Sequence, residues 1–414
     1  MRRSPERTAW TVLLAAFAIL IALVVGVPAT VSAVVNSATV ASTTYVRLQA
    51  GRVQTYLAPA TENDARVVSL EGREVDEGSV ILVDPDASSQ GMVTITPSDA
   101  SDPTVSVLTY ARTQLQVWRA QSPRFGLSAA PDETVLILAA GRAQFTIRPR
   151  STRPARTTVI TPFGSFDLGA GVHTIEIASG EARAFTREGS LIASAPTAPA
   201  LTLTAGQRTT LATGTTKLVV LAPERDLIRN PRFSTDFNPW ETEIRSTNGN
   251  DGHASLVAPG GEPSLLLDRP GTGLNWGRTG VFQIINENVA GRQSLRLALE
   301  FKILNQELPV CGTLGSECPL MINITYIDRA GAQREWFQGF YAEGSPSVDL
   351  PDVIRDNPSN RHVARDLNTR ESYESVNLLT GELGNAQLIQ RIRVYAEGHA
   401  VSTQIYRVNL LIQE

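Results

Sequence analysis

Two cysteines, four histidines and a few aromatic side chains are the residues of this 414-residue chain whose chemistry could go beyond packing. Cys311 and Cys318 lie seven apart in CGTLGSEC. That spacing can close a small disulfide ring in an oxidising compartment, with a free pair of thiols as the alternative. Two cysteines are too few for a zinc site, and no histidine stands near them in the sequence, so no metal is expected. His173, His253, His362 and His399 sit far apart, each in different surroundings, and His173, inside an alternating run, reads as structural. No G-x-S-x-G, H-E-x-x-H or phosphate-loop pattern occurs. Carboxylate pairs such as Glu241/Glu243 and Asp352/Asp356 exist. Glycoside hydrolysis would need two of them facing one cleft at a set separation, which spacing does not reveal. The chain is read as non-enzymatic, with no catalytic residue and no cofactor.

Non-covalent recognition is the remaining chemistry. Pyranose C–H faces stack on aromatic rings that have polar groups beside them. Trp276 in the Gly-rich loop GLNWGR, flanked by Asn275 and Arg278, is the best exposed candidate for such a site, with turn packing as the competing reading. Trp336 and Tyr341, in REWFQGFY, are further candidates. Trp336 alternates with Gln338 and Phe340, which is also the pattern of a core-facing strand. Trp240 is assigned to core packing.

Short strands would have to position these residues. From Thr44 onward, alternating runs such as Ser79-Val-Ile-Leu-Val, Gln144-Phe-Thr-Ile and His173-Thr-Ile-Glu-Ile recur every 10–15 residues with turn residues between them. No 3.6-residue periodicity competes with them, so an all-β architecture is predicted. Leu295, Leu297, Leu299 and Phe301 alternate with Arg296, Ala298 and Glu300, which places the apolar set on one sheet face. There is also an internal echo. Leu48-Gln-Ala-Gly-Arg-Val-Gln resembles Leu138-Ala-Ala-Gly-Arg-Ala-Gln, and Ala205-Gly-Gln-Arg is a shorter third copy. Each glycine is expected to start a tight turn.

Location is written in the first residues. Positions 10–35 carry no charge, and Arg2, Arg3 and Arg7 precede them. The apolar run 10–27 spans about 27 Å as a helix, close to the thickness of a bilayer core. The preceding arginines favour an amino terminus inside the cell. A single-pass anchor in a lipid bilayer is expected, with the bulk of the chain outside the cytoplasm; a signal peptide cleaved after Ala33 is the rival. Charge adds an exclusion. Net charge is −4 and only 19% of residues are charged, so neither nucleic acid nor a disordered acidic role is indicated.

Two family resemblances follow from longer strings. Leu136-Ile-Leu-Ala-Ala-Gly-Arg-Ala-Gln-Phe, Val159-Ile-Thr-Pro-Phe-Gly-Ser-Phe-Asp-Leu-Gly-Ala-Gly, Ile175-Glu-Ile-Ala-Ser-Gly-Glu-Ala-Arg and Leu203-Thr-Ala-Gly-Gln resemble the periplasmic β-domain of the FecR family of bacterial envelope proteins. Ala170 stands where that family usually has threonine. The family's signalling role implies an envelope protein as partner. With an N-in anchor only about nine residues would lie in the cytoplasm, so the family's sigma-factor-binding segment is expected to be missing while the sensing half remains. Leu227-Ile-Arg-Asn-Pro-Arg-Phe, leading to Trp240, resembles the start of galactose-binding-like sandwiches, as in carbohydrate-binding modules, and Tyr406-Arg-Val-Asn-Leu-Leu-Ile-Gln resembles their closing strand. This second resemblance implies a glycan ligand and leaves a structural calcium ion open, although no D-x-D-x-D-G run is present. The expected order is a cytoplasmic tail (1–9), a transmembrane helix (10–35), a linker (36–44), a FecR-like β-domain (45–225) and a jelly-roll-type β-sandwich (226–414). The expected role is membrane-anchored recognition of a glycan or an envelope partner, with a docking or scaffold protein as the alternative.

Overall fold

A computed structural model describes all residues except 1–4, 22–23, 26, 60–63, 151–152, 235, 247–251, 271–275 and 345–359. The chain divides into two compact units: residues 1–85 with 89–221, and residues 86–88 with 222–414.

The N-terminal unit begins with two helices, Pro5–Ile21 and Val27–Ser37. Apolar side chains of the first, including Trp10, Leu13, Phe17 and Leu20, are exposed. No helix among the described residues is long and apolar enough to cross a membrane. The rest of this unit is a 15-stranded sheet system. Its strands are antiparallel apart from Asp132–Ile147 with Ala155–Thr161, which run parallel. Alternation drives the burial: Val93, Ile95, Val105, Val107, Leu115, Val117, Leu136, Leu138, Phe145 and Phe166 point into one core.

The three echo glycines all have positive φ: Gly51, Gly141 and Gly206. Only Gly, lacking a Cβ, takes this conformation without strain. Gly206 lies in a turn between strands, as expected. Gly141 departs from that expectation, since it lies inside the 16-residue strand Asp132–Ile147. Residues before it pair with Gln114–Pro123, and residues from Gly141 onward pair with Val105–Thr109 and Gly164–Ala178. It is the point at which one strand changes partners. A Cβ there would sit 2.5 Å from the Arg112 carbonyl oxygen.

His173 is fully buried in this unit. Its Nε2 faces the Gly169 carbonyl at 3.0 Å and its Nδ1 faces the Thr186 hydroxyl at 3.4 Å. A carbonyl only accepts, so Nε2 carries the proton and Nδ1 accepts from Thr186. Burial holds the imidazole below its ordinary pKa, outweighing the opposing bond to Gly169. The folded state therefore stays neutral where the unfolded chain, titrating near 6.5, takes up a proton. The contribution of His173 is intact above that value and is lost as pH falls below it. The unfolding temperature of this unit, followed by calorimetry, is expected to drop between about pH 7 and about pH 5. A flat or rising profile would contradict the assignment.

The C-terminal unit is a sandwich of two six-stranded sheets. The back sheet runs His253–Val257, Ser264–Arg269, Val401–Gln413, Ser294–Gln306, Glu371–Glu374, with Glu224–Asp226 also on Val401–Gln413. The front sheet runs Glu241–Ser246, Gly277–Asn288, Ala386–Gly398, Leu320–Asp328, Gln333–Tyr341, Asn360–Ala364. Leu295, Leu297, Leu299 and Phe301 of the back sheet face Ile322, Ile324, Ile392, Val394 and Phe340 of the front sheet in a single core. Trp240 joins this core and donates its indole N–H to the Asn230 carbonyl at 3.1 Å.

Candidate functional site

The outer face of the front sheet carries a concentration of aromatic and charged side chains. Register places them in rows across the strands. Arg245, Arg278 and Glu397 form one row, and Glu243, Gly280, Tyr395, Met321, Gly339 and His362 the next. Glu241, Phe282, Arg393, Asn323 and Phe337 form a third, and Arg391, Thr325 and Glu335 lie beside it. Alternation produces this arrangement: Arg391, Arg393, Tyr395 and Glu397 point out because Ile392, Val394 and Ala396 point in.

Glu397 organises one end of the face. Its Oε1 accepts the indole N–H of Trp276 at 3.1 Å, and its Oε2 accepts Nε and Nη2 of Arg278 at 3.3 and 3.0 Å. The Arg278 guanidinium lies over the Tyr395 ring, 4.4 Å from its centroid. Gly280 makes room for this, since a Cβ there would fall 2.4 Å from the Tyr395 Cβ. Burial opposes the charge of Arg278, yet Glu397 holds its pKa above the ordinary arginine value. Burial and the Glu397 charge together push the Tyr395 phenol well up, so it stays neutral.

Further along, Arg393 spans two carboxylates, with Glu243 at 3.4 Å and Glu335 at 4.0 Å, and Glu243 also pairs with Arg245 at 3.0 Å. Arg391 stands over the Phe282 ring at 5.5 Å. Burial first, and then the neighbouring Arg393, lower its pKa. Beneath these long side chains, Asn323 Oδ1 and Thr325 Oγ1 are buried without a hydrogen-bond partner. An open pocket of about 390 Å³, lined by Arg229, Asn238, Pro239, Trp240, Glu241 and Ile284, borders this end.

The other end is roofed. A helical turn, Val310–Leu314, and the disulfide Cys311–Cys318 lie over Met321, Tyr341 and Tyr395, making a small second core. Here the sequence expectation needs correction. Tyr341 does lie on the outer face, but at 6% exposure beneath this roof it offers no ring to a ligand. Trp336 faces inward at 3% exposure, inside the main core, with its N–H on Glu382. A sugar needs an open ring face, so neither residue can stack one. Trp276 is half-buried and Arg278 adjoins it in space, while Asn275 lies outside the described residues. Asp352 and Asp356 also lie outside them. Glu241 and Glu243 share the outer face, but Glu243 is held by two arginines.

Sequence reading misses Glu397, Tyr395, Arg393 and Arg391. The alternation in Arg391-Ile-Arg-Val-Tyr-Ala-Glu is the signal that could find them. It also misses His362, which the fold brings beside the cysteines: Cys311, Cys318 and His362 place their ligand atoms within 4.8 Å of one another. That triplet is the one group of three or more potential metal ligands among the described residues. No group of three or more carboxylates that could hold calcium is found among the described residues. Asp226, whose carboxylate is raised by burial, spends its oxygens on Asn409 and on the backbone N–H groups of Ile228 and Leu410.

No family model and no curated protein matches this chain. Solved structures resemble parts of it. An anti-sigma factor of Parabacteroides distasonis, itself described as putative, covers 37% of this chain and 68% of its own at 13% identity, with a TM-score of 0.27. TmCBM61 in complex with β-1,4-galactotriose covers 46% and 99% at 14% identity, TM-score 0.25. A family 11 carbohydrate-binding module from Clostridium thermocellum, in complex with a β-1,3-1,4-mixed-linked tetrasaccharide, covers 45% and 94% at 11% identity, TM-score 0.27. With identities and TM-scores this low, the likenesses assign no function to this chain.

Proposed function

We propose that the C-terminal sandwich is a non-covalent glycan-recognition module, using the outer face of its front sheet, and that residues 10–35 anchor the protein in a lipid bilayer with the bulk of the chain outside the cytoplasm. One observation carries the glycan reading. A single carboxylate, Glu397, fixes the half-buried Trp276 indole and the Arg278 guanidinium side by side, so Trp276 is the ring and Arg278 and Glu397 are the polar rim. A sugar needs this combination, a ring to lie on and rigid polar groups at its rim. The ion pairs of Arg393 with Glu243 and Glu335 extend the polar surface across the sheet. Arginine and carboxylate can each bind a vicinal hydroxyl pair through two parallel bonds. Exposed apolar side chains along Pro5–Ile21 support the anchor, since lipid is the environment that removes them from water.

A glycan-array screen of the detergent-solubilised full chain, followed by titration with a positive oligosaccharide, tests the module. Trp276→Ala and Arg278→Ala are each expected to weaken binding about tenfold or more while leaving thermal unfolding of the sandwich in place. Array silence, or equal affinity in both variants, would contradict the reading. A second reading, that the N-terminal FecR-like unit docks an envelope protein, draws on Trp118, Phe125 and Leu127, which stand exposed within ten residues of chain. A pull-down from envelope extract that is lost with Trp118→Ser would favour it.

A further inference from the structure

We propose that the dithiol form of this protein holds a zinc ion between Cys311, Cys318 and His362, under the roof of the front sheet. The disulfide and this site are then alternative states of one loop.

The histidine carries the argument. His362 Nε2 lies 2.7 Å from the Gly315 carbonyl oxygen. A carbonyl can only accept, so Nε2 bears the proton and the lone pair is on Nδ1. That Nδ1 is buried and has no hydrogen-bond partner. It points over Gly339: a Cβ on that glycine would meet His362 Nδ1 at 2.1 Å and Cys318 Sγ at 2.9 Å. The bare glycine thus leaves the space in which nitrogen and sulfur face each other. Fixing one imidazole nitrogen on a backbone carbonyl, with the other aimed at the ion, is how metal-binding histidines are oriented. Among the described residues no donor reaches this ring nitrogen, and burying a polar atom unpaired is unfavourable.

Donor chemistry selects the ion. Two thiolates and one imidazole suit a soft or borderline cation, and zinc takes such a set tetrahedrally. The three donor atoms already lie within 4.8 Å of one another. Zinc–sulfur and zinc–nitrogen bonds of about 2.3 and 2.0 Å place tetrahedral neighbours about 3.5–3.8 Å apart, so the imidazole has to close on the sulfurs while the two sulfurs, bonded to each other in the disulfide, move apart. Gly312 and Gly315 in the intervening loop can supply that movement, and Gly315 already has positive φ. The fourth position would be left to water or a ligand. No reductant is required, because a newly made chain carries both cysteines as thiols. Binding breaks the two S–H bonds, forms two Zn–S bonds and one Zn–N bond, and releases two protons to solvent. Thiol–disulfide exchange with an external disulfide instead forms the Cys311–Cys318 bond, reduces that oxidant to two thiols, and forecloses the site.

The test uses the full chain in detergent, reduced by a phosphine in denaturant and refolded without oxygen, with zinc measured by competition against a chromophoric chelator. The reduced protein is expected to take up one zinc ion per chain, and the oxidised protein none. His362→Gln, which can still reach the Gly315 carbonyl, is expected to bind about 100-fold more weakly, and the double variant Cys311→Ser/Cys318→Ser not at all. Cobalt in place of zinc should give a sulfur-to-metal charge-transfer band in the reduced wild type that the double variant lacks. Should the zinc-free reduced chain fail to refold its sandwich, added zinc is expected to restore the near-ultraviolet dichroism of the buried Tyr341 and Tyr395. Three results would each overturn the proposal: no zinc uptake by the reduced chain, uptake unaffected by His362→Gln, or a misfolded reduced chain that zinc does not rescue.

Discussion

Replacing Glu287 with alanine is expected to destabilise the C-terminal sandwich by about 3–5 kcal/mol. Glu287 pairs with Arg225 and, at 2.9 Å, with Arg292, and Glu414 closes the group by pairing with the same two arginines. The Arg292 side chain is only 2% exposed. Removing one carboxylate leaves two buried guanidinium groups sharing a single counter-charge, and an unpaired buried charge has no water to compensate it. Removing a whole buried pair and filling its volume with apolar groups is often close to neutral. The substitutions Arg225→Met and Arg292→Met, combined with Glu287→Leu and Glu414→Leu, remove every charged side chain of the group and should therefore recover most of the loss. Denaturant unfolding followed by tryptophan fluorescence reads both effects. A loss below about 1 kcal/mol for Glu287→Ala would mean that the group behaves as a solvated surface network.

Phe340→Ala is expected to have an effect of similar size, about 3–5 kcal/mol. Phe340 projects from the front sheet between two back-sheet rings, with centroids 4.8 Å from Phe301 and 4.9 Å edge-on from Tyr373. It is fully buried. Truncation loses the transfer free energy of the ring and leaves a cavity that two sheets tied by continuous hydrogen-bonded ladders cannot collapse to fill. Phe340→Leu keeps most of the volume and should lose much less. The two units have separate cores, so only the sandwich transition should move in a calorimetric scan. Movement of both transitions together would contradict that separation.

The alternating runs make the strand content and the inward faces legible from the order of residues alone. Leu295, Leu297, Leu299 and Phe301 are buried on one face because a strand's period of two leaves them no other place. Period alone does not distinguish a turn from a partner change, so the tight turn expected at Gly141 proves to be a point inside a strand. The aromatic run around Trp336 shows the same limit. Alternation correctly turns Trp336 and Phe340 inward and Tyr341 outward. Yet a separate loop, closed by Cys311 and Cys318, covers the outward side, and no local pattern announces a roof made by distant residues. His362 is invisible as a neighbour of the cysteines for the same reason: the parallel pairing of Gln333–Tyr341 with Asn360–Ala364 sets it opposite Gly339. Trp276 and Arg278 can be named from loop composition, whereas their common partner Glu397 lies 119 residues beyond Arg278.

The recognition face can be tested most directly by amide hydrogen exchange on the full chain, with and without neutral β-linked oligosaccharides at millimolar concentration. The account predicts slowed exchange in the segments holding Trp276 to Ile284 and Arg391 to Glu397, with the back sheet and the N-terminal unit unchanged. Unaltered exchange with every sugar, or protection confined to the back sheet or to the N-terminal unit, would contradict it.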